Sequence, residues 1–459
     1  MPGARGLTLK NGDNSTTLRA IKGSAEARCL AILLFLVFSG ALAYAFYFHI
    51  PPQVDARAYD AIGWNLASGH GYRGGLTGPL DQDQSIGRLG PGYEFFLAAL
   101  FWLFGHSYPA VWIAQALLHT ASAGLVYLLA RRLIPGERGM VFRFLSTAVF
   151  GFHLDLLQMA AMLMTETLYI FLMMVAVYCA VSYLSRPRMA TALLTAILLA
   201  LAILTRASAV VLLAVFALAL LWRKSWKTLL IVLFLQIILI GPWTWRNYRV
   251  YHSFILTTAA GGYDLWVGNN PASNGELQPT PEITSYLQDH GYVATNQKGI
   301  EEVEQFIVSQ PLTFLRLQIV KTVKYFSLIR TSAWWSNLNG LSREITLVLS
   351  SGFTFVLMLF GILGAWLAWR EKIDQARWLV LFAAATPISV ISIVVETRYR
   401  YPLYPFLGVF AALALGRIVR KETSLKGLLW VGGALIANSL VDVAGSLPLI
   451  IERLHVLFG

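Results

Sequence analysis

From Cys29 onward the chain returns repeatedly to apolar runs of about 16 to 25 residues, long enough to approach the thickness of a bilayer, with short basic breaks between them. No other feature constrains the fold as strongly. In lipid each backbone N–H and C=O must find its partner inside its own segment, which for runs of this kind means α-helices. With 57% hydrophobic and only 13% charged residues, a water-soluble globule could not cover its apolar surface. The formal charge of +12 lies in the breaks and forms no basic stripe with interleaved aromatics, so it reads as a topology signal and argues against a nucleic-acid partner. Cys29 and Cys179 both sit inside apolar runs, which supports neither a disulfide framework nor a thiolate metal site. The first run, 29–50, is too long for a signal-peptide core and lacks a small-residue cleavage site before Pro51; it is expected to be an uncleaved anchor.

The charges orient the chain. Lys10, Arg19, Lys22 and Arg28 place residues 1–28 in the cytoplasm as a tail and send the segment after Ile50 outside. The clusters Arg131-Arg132 with Arg138 and Arg143, Arg186 with Arg188, Arg223-Lys224 with Lys227, Arg370 with Lys372 and Arg377, and Arg417 with Arg420-Lys421 then all fall inside, provided that 91–105 does not cross. That stretch has about 15 residues where a span needs about 20, and is read as interfacial or re-entrant; counting it as a span puts Arg131-Arg132 outside. Spans are expected near 108–131, 140–155, 163–184, 189–205, 207–222, 227–245, 345–369, 377–395, 402–419 and 426–445, about 11 with the first. The expected organisation is a tail (1–28), an N-terminal transmembrane module (29–245) with a first external loop (51–107), an external cap (246–344) and C-terminal transmembrane helices (345–459). The cap holds the turn-rich "GGYDLWVGNNPASNG" and then a helical stretch from about Ile300 to Arg330, acidic at its start and basic at its end as the helix dipole favours. The fold class is all-α and polytopic, with an external helical cap and no internal repeat.

Ionisable residues beside the ends of spans are functional candidates, because lipid makes them costly. In "VDARAYDAIGWNLASGHGY" a helix over about 55–68 puts Asp55, Tyr59, Ile62 and Leu66 on one face and Asp60 on another. Asp55 is either an N-cap or a catalytic carboxylate, and both readings stand at this point. Glu166 interrupts the apolar "MLMTETLYIFLMMV" at the outer mouth of a span, either as a paired acid or as a second catalytic group. His153 and Asp155, in the same outer loop, are weaker candidates. Arg88, Arg206, Arg246, Arg398 and Arg400 all map to the outer face, against the positive-inside trend. A guanidinium there either anchors the interface or grips phosphate oxygens in a bidentate manner, and five departures on one face favour a phosphate-bearing ligand. The outer side of a plasma membrane holds no nucleotide sugars or ATP, so a transferase there must draw on a group carried through the membrane on lipid. A polyprenyl-phosphate sugar fits: phosphate for the arginines, an isoprenoid tail for a groove between spans, and a glycosidic bond at the level of Asp55. An ionised Asp55 would take the acceptor's proton, and Glu166 would orient the acceptor or, with Asp55, hold a divalent metal through oxygen. Direct displacement of this kind inverts the anomeric centre.

The order of "VDARAYDAIGWNLASGHGY", "RLGPGYEFFLAALFWLFG", the Thr-Glu at the head of a span, "LAILTRASAVVLL" and "GPWTWRNYRVYHSFILTTAAGGYDLWVGNNP" resembles bacterial membrane glycosyltransferases of the family 39 and aminoarabinose-transferase type, over roughly the first 275 residues; later, only "ETRYRYPLYPFL" is similar. The resemblance implies the C-type membrane glycosyltransferase fold, a lipid-phosphate-sugar donor, an external active site, an essential acid at Asp55 and a second at Glu166. Arg88 stands where relatives have a basic residue; with Arg246, Arg398 and Arg400 it forms the expected donor-phosphate set, and Tyr59, Arg206, Asn247, Trp266 and Asn269 are the substrate-binding candidates. Relatives often carry Asp-Glu where this chain has Asp55-Ala56. The expected function is transfer of one sugar, in the bacterial inner membrane, to lipid A, lipopolysaccharide or another envelope glycan. Transfer to protein, and a non-enzymatic flippase or transporter for lipid-linked sugars, are the alternatives; a transporter would carry its polar residues at the bilayer midplane.

Overall fold

In the computed structural model, residues 12–328, 343–371 and 374–458 are described. Residues 1–11 of the expected tail, 329–342 at the end of the expected cap, and Lys372 lie outside them. Eighteen helices follow in order: α1 (Gly12–Phe48), α2 (Asp55–Ala67), α3 (Gln84–Arg88), α4 (Pro91–Phe104), α5 (Tyr108–Leu133), α6 (Met140–Gly151), α7 (Leu154–Ala161), α8 (Thr165–Ser185), α9 (Met189–Thr205), α10 (Val210–Trp222), α11 (Trp226–Tyr251), α12 (Ala260–Gly268), α13 (Pro281–Ser309), α14 (Pro311–Tyr325), α15 (Arg343–Arg370), α16 (Asp374–Ile391), α17 (Tyr404–Val419) and α18 (Leu425–Phe458). A 3-10 turn, Thr397–Leu403, leads into α17. Among the described residues there is no β-strand, only an isolated bridge between Glu276 and Val395.

Proline punctuates the chain. Pro51 and Pro52 follow the end of α1; Pro91, Pro281 and Pro311 open α4, α13 and α14, each of these three at a first-turn position whose missing N–H costs the helix nothing. The expected single helix over 300–330 is therefore two, broken at Gln310-Pro311; Arg330 lies outside the described residues. The expected span 140–155 is also two helices, α6 and α7, bent by 50° at Gly151-Phe152-His153. Gly151 packs on the side chain of Val37, so α1 passes where a straight α6 would need room for side chains.

Among the described residues, seven helices are long and apolar enough to cross a membrane, or up to eight if the bent pair is one span. Three expected spans are shorter: α9 has 17 residues, and α10 with its preceding turn and α16 are of similar length. At 1.5 Å per residue such a helix covers about 25 Å, less than the roughly 30 Å of a hydrocarbon core. All three end at the same polar place, Arg206 between α9 and α10 and Ser392 after α16, so their missing turns are where the bundle opens into a cavity. α4, with 14 residues, is short as expected.

Among the candidate spans, α8 and the Thr397–Val419 segment are the most enclosed, each 78% buried, whereas the apolar stretch of α18 is only 17% buried. α15 packs against α17 along Gly361 and Gly364, where a Cβ at Gly364 would overlap the backbone carbonyl of Phe410. A second, smaller apolar cluster joins α12 and α13 through Tyr263, Trp266, Val267, Ile283 and Val303 to Val394, just before the 3-10 turn. Because a backbone atom cannot yield, Gly364→Ala is expected to cost about 1–3 kcal/mol. Gly433→Ala, where the added methyl meets open space, is expected to be neutral or stabilising. Thermal unfolding of the two purified variants in detergent checks this; equal melting temperatures would refute the close approach.

Candidate active site

Asp55 is the first residue of α2, not its cap: the N-cap position is Val54, which makes no side-chain capping bond and sits at φ 50°, a conformation costly for a β-branched residue. The Asp55 carboxylate, in a residue only 7% exposed, is held by two guanidinium groups. Arg88 Nη1 is 3.0 Å from Oδ1, and Arg398 Nη2 donates to Oδ2 at 2.9 Å. Arg398 Nε also donates to Glu396 at 2.9 Å and lies 3.8 Å from Glu166. Glu166, with no exposed surface, receives Arg206 Nη1 at 2.7 Å; that same nitrogen reaches the Thr165 hydroxyl at 3.0 Å. Arg88–Asp55–Arg398–Glu166–Arg206, with Glu396 alongside, is thus one chain of alternating charge drawn from α2, α3, α8, the α9–α10 break and the 3-10 turn. Pairing is what allows these charges to leave water.

The chain borders a cavity of about 200 Å³ whose wall includes Asp55, Tyr59, Arg88, Arg206, Asp264 and Arg398. Burial alone would push the Asp55 carboxyl up, but the guanidiniums of Arg398 and Arg88 outweigh it and hold the carboxyl below its ordinary range. Arg88 is held protonated: the Asp55 charge more than offsets the penalty of burial. Asp264 behaves in the opposite way. Burial raises its carboxyl to about 6 against the opposing charge of Arg88, and it makes no hydrogen bond or ion pair among the described residues.

Several expected site residues lie elsewhere. Arg246 stacks over Trp243 and Tyr72, with centroid distances of 5.0 and 5.2 Å, and donates to Asn247 Oδ1 at 3.1 Å. Asn247 donates to the carbonyls of Ile255 and Thr257, both at 3.1 Å, tying the end of α11 to the following turn. Arg400 is buried and donates to the Ser327 carbonyl at 2.6 Å. Trp266 packs in the smaller apolar cluster, and Asn269 links α12 to the end of α16 through the carbonyls of Ser392 and Ile393 while accepting from Lys321 at 2.7 Å. None of these five lines the cavity. Glu166 is also set behind Arg206 and Thr165 and not on the wall. His153 and Asp155 belong to a buried network with Thr354, Tyr404 and Ser350 between α7, α15 and α17.

Residues that the sequence reasoning did not single out are Asp264, Glu396, Thr165, Ser208 and Tyr399. The available signal for Asp264 was a lone acid in the turn-rich "GGYDLWVGNNP". A divalent metal does not fit: the carboxylates of Asp55 and Glu166 are engaged by cations, and no group of three or more His, Cys, Asp or Glu among the described residues is placed to hold a metal ion.

Residues 88–245 match the family model for dolichyl-phosphate-mannose-protein mannosyltransferase. Among solved structures, the chain is similar to ArnT from Cupriavidus metallidurans bound to undecaprenyl phosphate, at 15% identity and a TM-score of 0.50, over 92% of this chain and 64% of that one. The apo form of the same ArnT aligns over 93% of this chain at the same identity and TM-score. The oligosaccharyltransferase of Archaeoglobus fulgidus, solved with zinc and sulfate, matches at 14% identity and a TM-score of 0.50, over 90% of this chain and 53% of that one. The fold is that of the C-type membrane glycosyltransferases. The chain spans between about half and two thirds of the length of these C-type structures. No curated protein matches it by sequence. The family match begins at Arg88, so the C-type likeness in sequence covers Glu166 and Arg206 but not Asp55.

The charge chain makes a differential prediction. Arg398→Met removes the cation that lies among the buried carboxylates of Asp55, Glu166 and Glu396 and is expected to cost about 3–5 kcal/mol. Arg88, whose side chain is 31% exposed, is expected to cost about 1 kcal/mol or less as Arg88→Met. Because the folded Asp55 carboxyl is lowered, its contribution is complete above the unfolded value, about 4, and is lost as the pH falls through the folded one. Thermal unfolding at pH 7 and below pH 4 measures both effects, and equal losses in the two variants would contradict the arrangement.

Proposed function

We propose that this chain is a glycosyltransferase that moves a sugar from a polyprenyl-phosphate donor to an acceptor at the outer face of the bacterial inner membrane. The observation that carries the proposal is the convergence of Arg88, Arg206 and Arg398 on one cavity next to an apolar groove of about 590 Å³. The groove is lined by Ile203, Val210, Ile237, Ile240, Trp245 and Leu256; Ile203, Val210 and Leu256 each stand two residues along the chain from cavity residues Thr205, Ser208 and Thr258, so the groove flanks the α9–α10 break and the segment after α11. A phosphate in the cavity and a prenyl tail in the groove would use both at once. The ArnT structure with undecaprenyl phosphate supports this class of donor.

In this reading the phosphate takes hydrogen bonds from Arg88 and Arg206, the more exposed guanidiniums. Arg398, saturated by Asp55 and Glu396, adds its charge. The acceptor hydroxyl attacks the anomeric carbon from the face opposite the phosphate, the bond from that carbon to the phosphate oxygen breaks, and configuration inverts. Charge growing on the leaving phosphate is stabilised by guanidiniums already in place. Asp55 holds Arg88 and Arg398 in register and balances their charge when no phosphate is bound. The positive-inside distribution of the breaks supports an extracytoplasmic cavity.

Comparison of lipids and envelope glycans from cells with and without the gene tests the proposal. Loss of the gene is expected to let one polyprenyl-linked sugar accumulate while one glycan, or one glycoprotein if the acceptor is protein, loses that sugar. Asp55→Asn, restored to those cells, is expected to lower transfer about 10²-fold or more. Full transfer by a folded Asp55→Asn protein, or unchanged lipids and glycans in the deletion, would refute it; the latter outcome is also what a non-catalytic role predicts.

A further inference from the structure

The carboxylates around the cavity differ in what occupies them. Asp55 has a guanidinium on each oxygen, Glu166 is fully buried against Arg206, and Glu396 is held by Arg398. Asp264 lines the same cavity and is the carboxylate on its wall with no hydrogen bond and no ion pair among the described residues. A mostly buried acid with free lone pairs, on the wall of a space in which a hydroxyl must lose its proton, is placed to accept that proton.

The backbone around Asp264 is built to hold it. Gly262, two residues earlier, donates its N–H to Asn296 Oδ1 at 2.7 Å, and a side chain at Gly262 would overlap the α13 backbone at Asn296. Gly299 makes the same approach from the other side, onto the Gly262 carbonyl. At the far end of α12, Gly268 lies against the carbonyl of Ile393, and the Asn269 amide donates to the carbonyls of Ser392 and Ile393 at 3.2 and 2.9 Å. Buried Lys321 locks that junction with 2.7 Å to Asn269 Oδ1. Such pinning at both ends of a nine-residue helix suits a reacting group, whose position must hold within a fraction of an ångström.

We propose that Asp264 is the general base that takes the proton from the acceptor hydroxyl; this rests on the donor reading above. The acceptor O–H bond breaks and its proton moves to the Asp264 carboxylate. The oxygen forms its bond to the anomeric carbon while the phosphate oxygen leaves with the electron pair of the old bond. Deprotonation of Asp264 by water resets the site, with no oxidant or reductant. Physical chemistry separates it from Asp55: a carboxyl lowered by two guanidiniums is a weak base, whereas one near the working pH combines an ionised resting form with real proton affinity. The groups facing Asp264 are Arg88 from α3, Tyr292 from α13, Asp55 from α2, and Glu396, Arg398 and Tyr399 from the 3-10 turn, with Tyr263 beside it on α12. Of these, Arg88 and Arg398 favour the ionised form, Asp55 and Glu396 oppose it, and burial sets the balance.

The test uses membrane vesicles from the deletion strain, whose own lipids supply donor and acceptor, with the purified full-length protein added and the glycan product quantified by mass spectrometry between pH 5 and 8. Binding of undecaprenyl phosphate alone, by native mass spectrometry, reports folding and the phosphate site. The wild-type rate is expected to fall below about pH 6, where the base becomes protonated. Asp264→Asn is expected to bind undecaprenyl phosphate within about threefold of wild type but to transfer about 10²-fold or more slowly, without that acid limb, and Asp264→Glu to recover part of the rate. Three results overturn the assignment: a wild-type maximal rate in Asp264→Asn, a defect that disappears at high donor concentration, or an acid limb that persists in Asp264→Asn. If wild-type protein forms no product in these vesicles while binding undecaprenyl phosphate, the transferase reading itself fails, and the base assignment with it.

Discussion

Removing Arg398 from contact with water is the constraint around which the rest of the molecule is arranged. Its guanidinium lies among Asp55, Glu396 and Glu166, carboxylates that the chain supplies from three separate places, the first of them 343 residues away. A charge so enclosed is tolerable only if its partners arrive together, so α2, α8 and the 3-10 turn before α17 must meet at one point. That meeting explains why α8 and the Thr397–Val419 segment are the most enclosed of the candidate spans. It also accounts for why α9, α10 and α16 stop short: the arginine between α9 and α10 and the polar end of α16 need a polar cavity, not lipid, beside them. The membrane fold and the cavity are therefore consequences of the same pairing requirement.

Much of this was legible in the chain. Apolar run length establishes the all-α class, prolines mark several helix starts, and the face shared by Asp55, Tyr59 and Ile62 is the buried face of α2. Two boundaries were not legible for a physical reason: the bend at Gly151 depends on where α1 passes, and the number of full spans depends on where the cavity interrupts the bilayer. Both are tertiary effects. A run of 17 apolar residues looks the same whether its missing turn is absorbed by tilt or by a polar cavity.

For the candidate site, the signal used was direction of departure from the positive-inside trend. It brought Arg88, Arg206 and Arg398 to one cavity, and with them Arg246 and Arg400, which do not reach it. The rule senses that a cation needs unusual compensation and is blind to what compensates it. Arg246 is compensated by aromatic faces and Arg400 by a carbonyl, and neither partner can be read from the sequence. Asp264 shows the converse failure. Its distinction is the lack of a partner, which no local pattern encodes.

In the proposed mechanism, Asp55 and Asp264 show how one cavity can assign two tasks to one side-chain type. Moving a carboxylate from water into a site such as this raises its proton affinity, and a facing guanidinium lowers it again. Where two guanidiniums bear directly on the oxygens, as at Asp55, the charge is locked and the group becomes part of the scaffold that fixes cations for an anionic ligand. Where cations face the group without bonding to it, as at Asp264, burial prevails and the group remains able to exchange a proton near neutral pH. The two assignments depend on each other. If Arg88 turned from Asp55 to Asp264, the phosphate-side scaffold would loosen and the free carboxylate would lose its basicity in the same movement. The rigidity of α12 and the 3.0 Å hold of Asp55 on Arg88 are thus two halves of one device for keeping opposite roles apart.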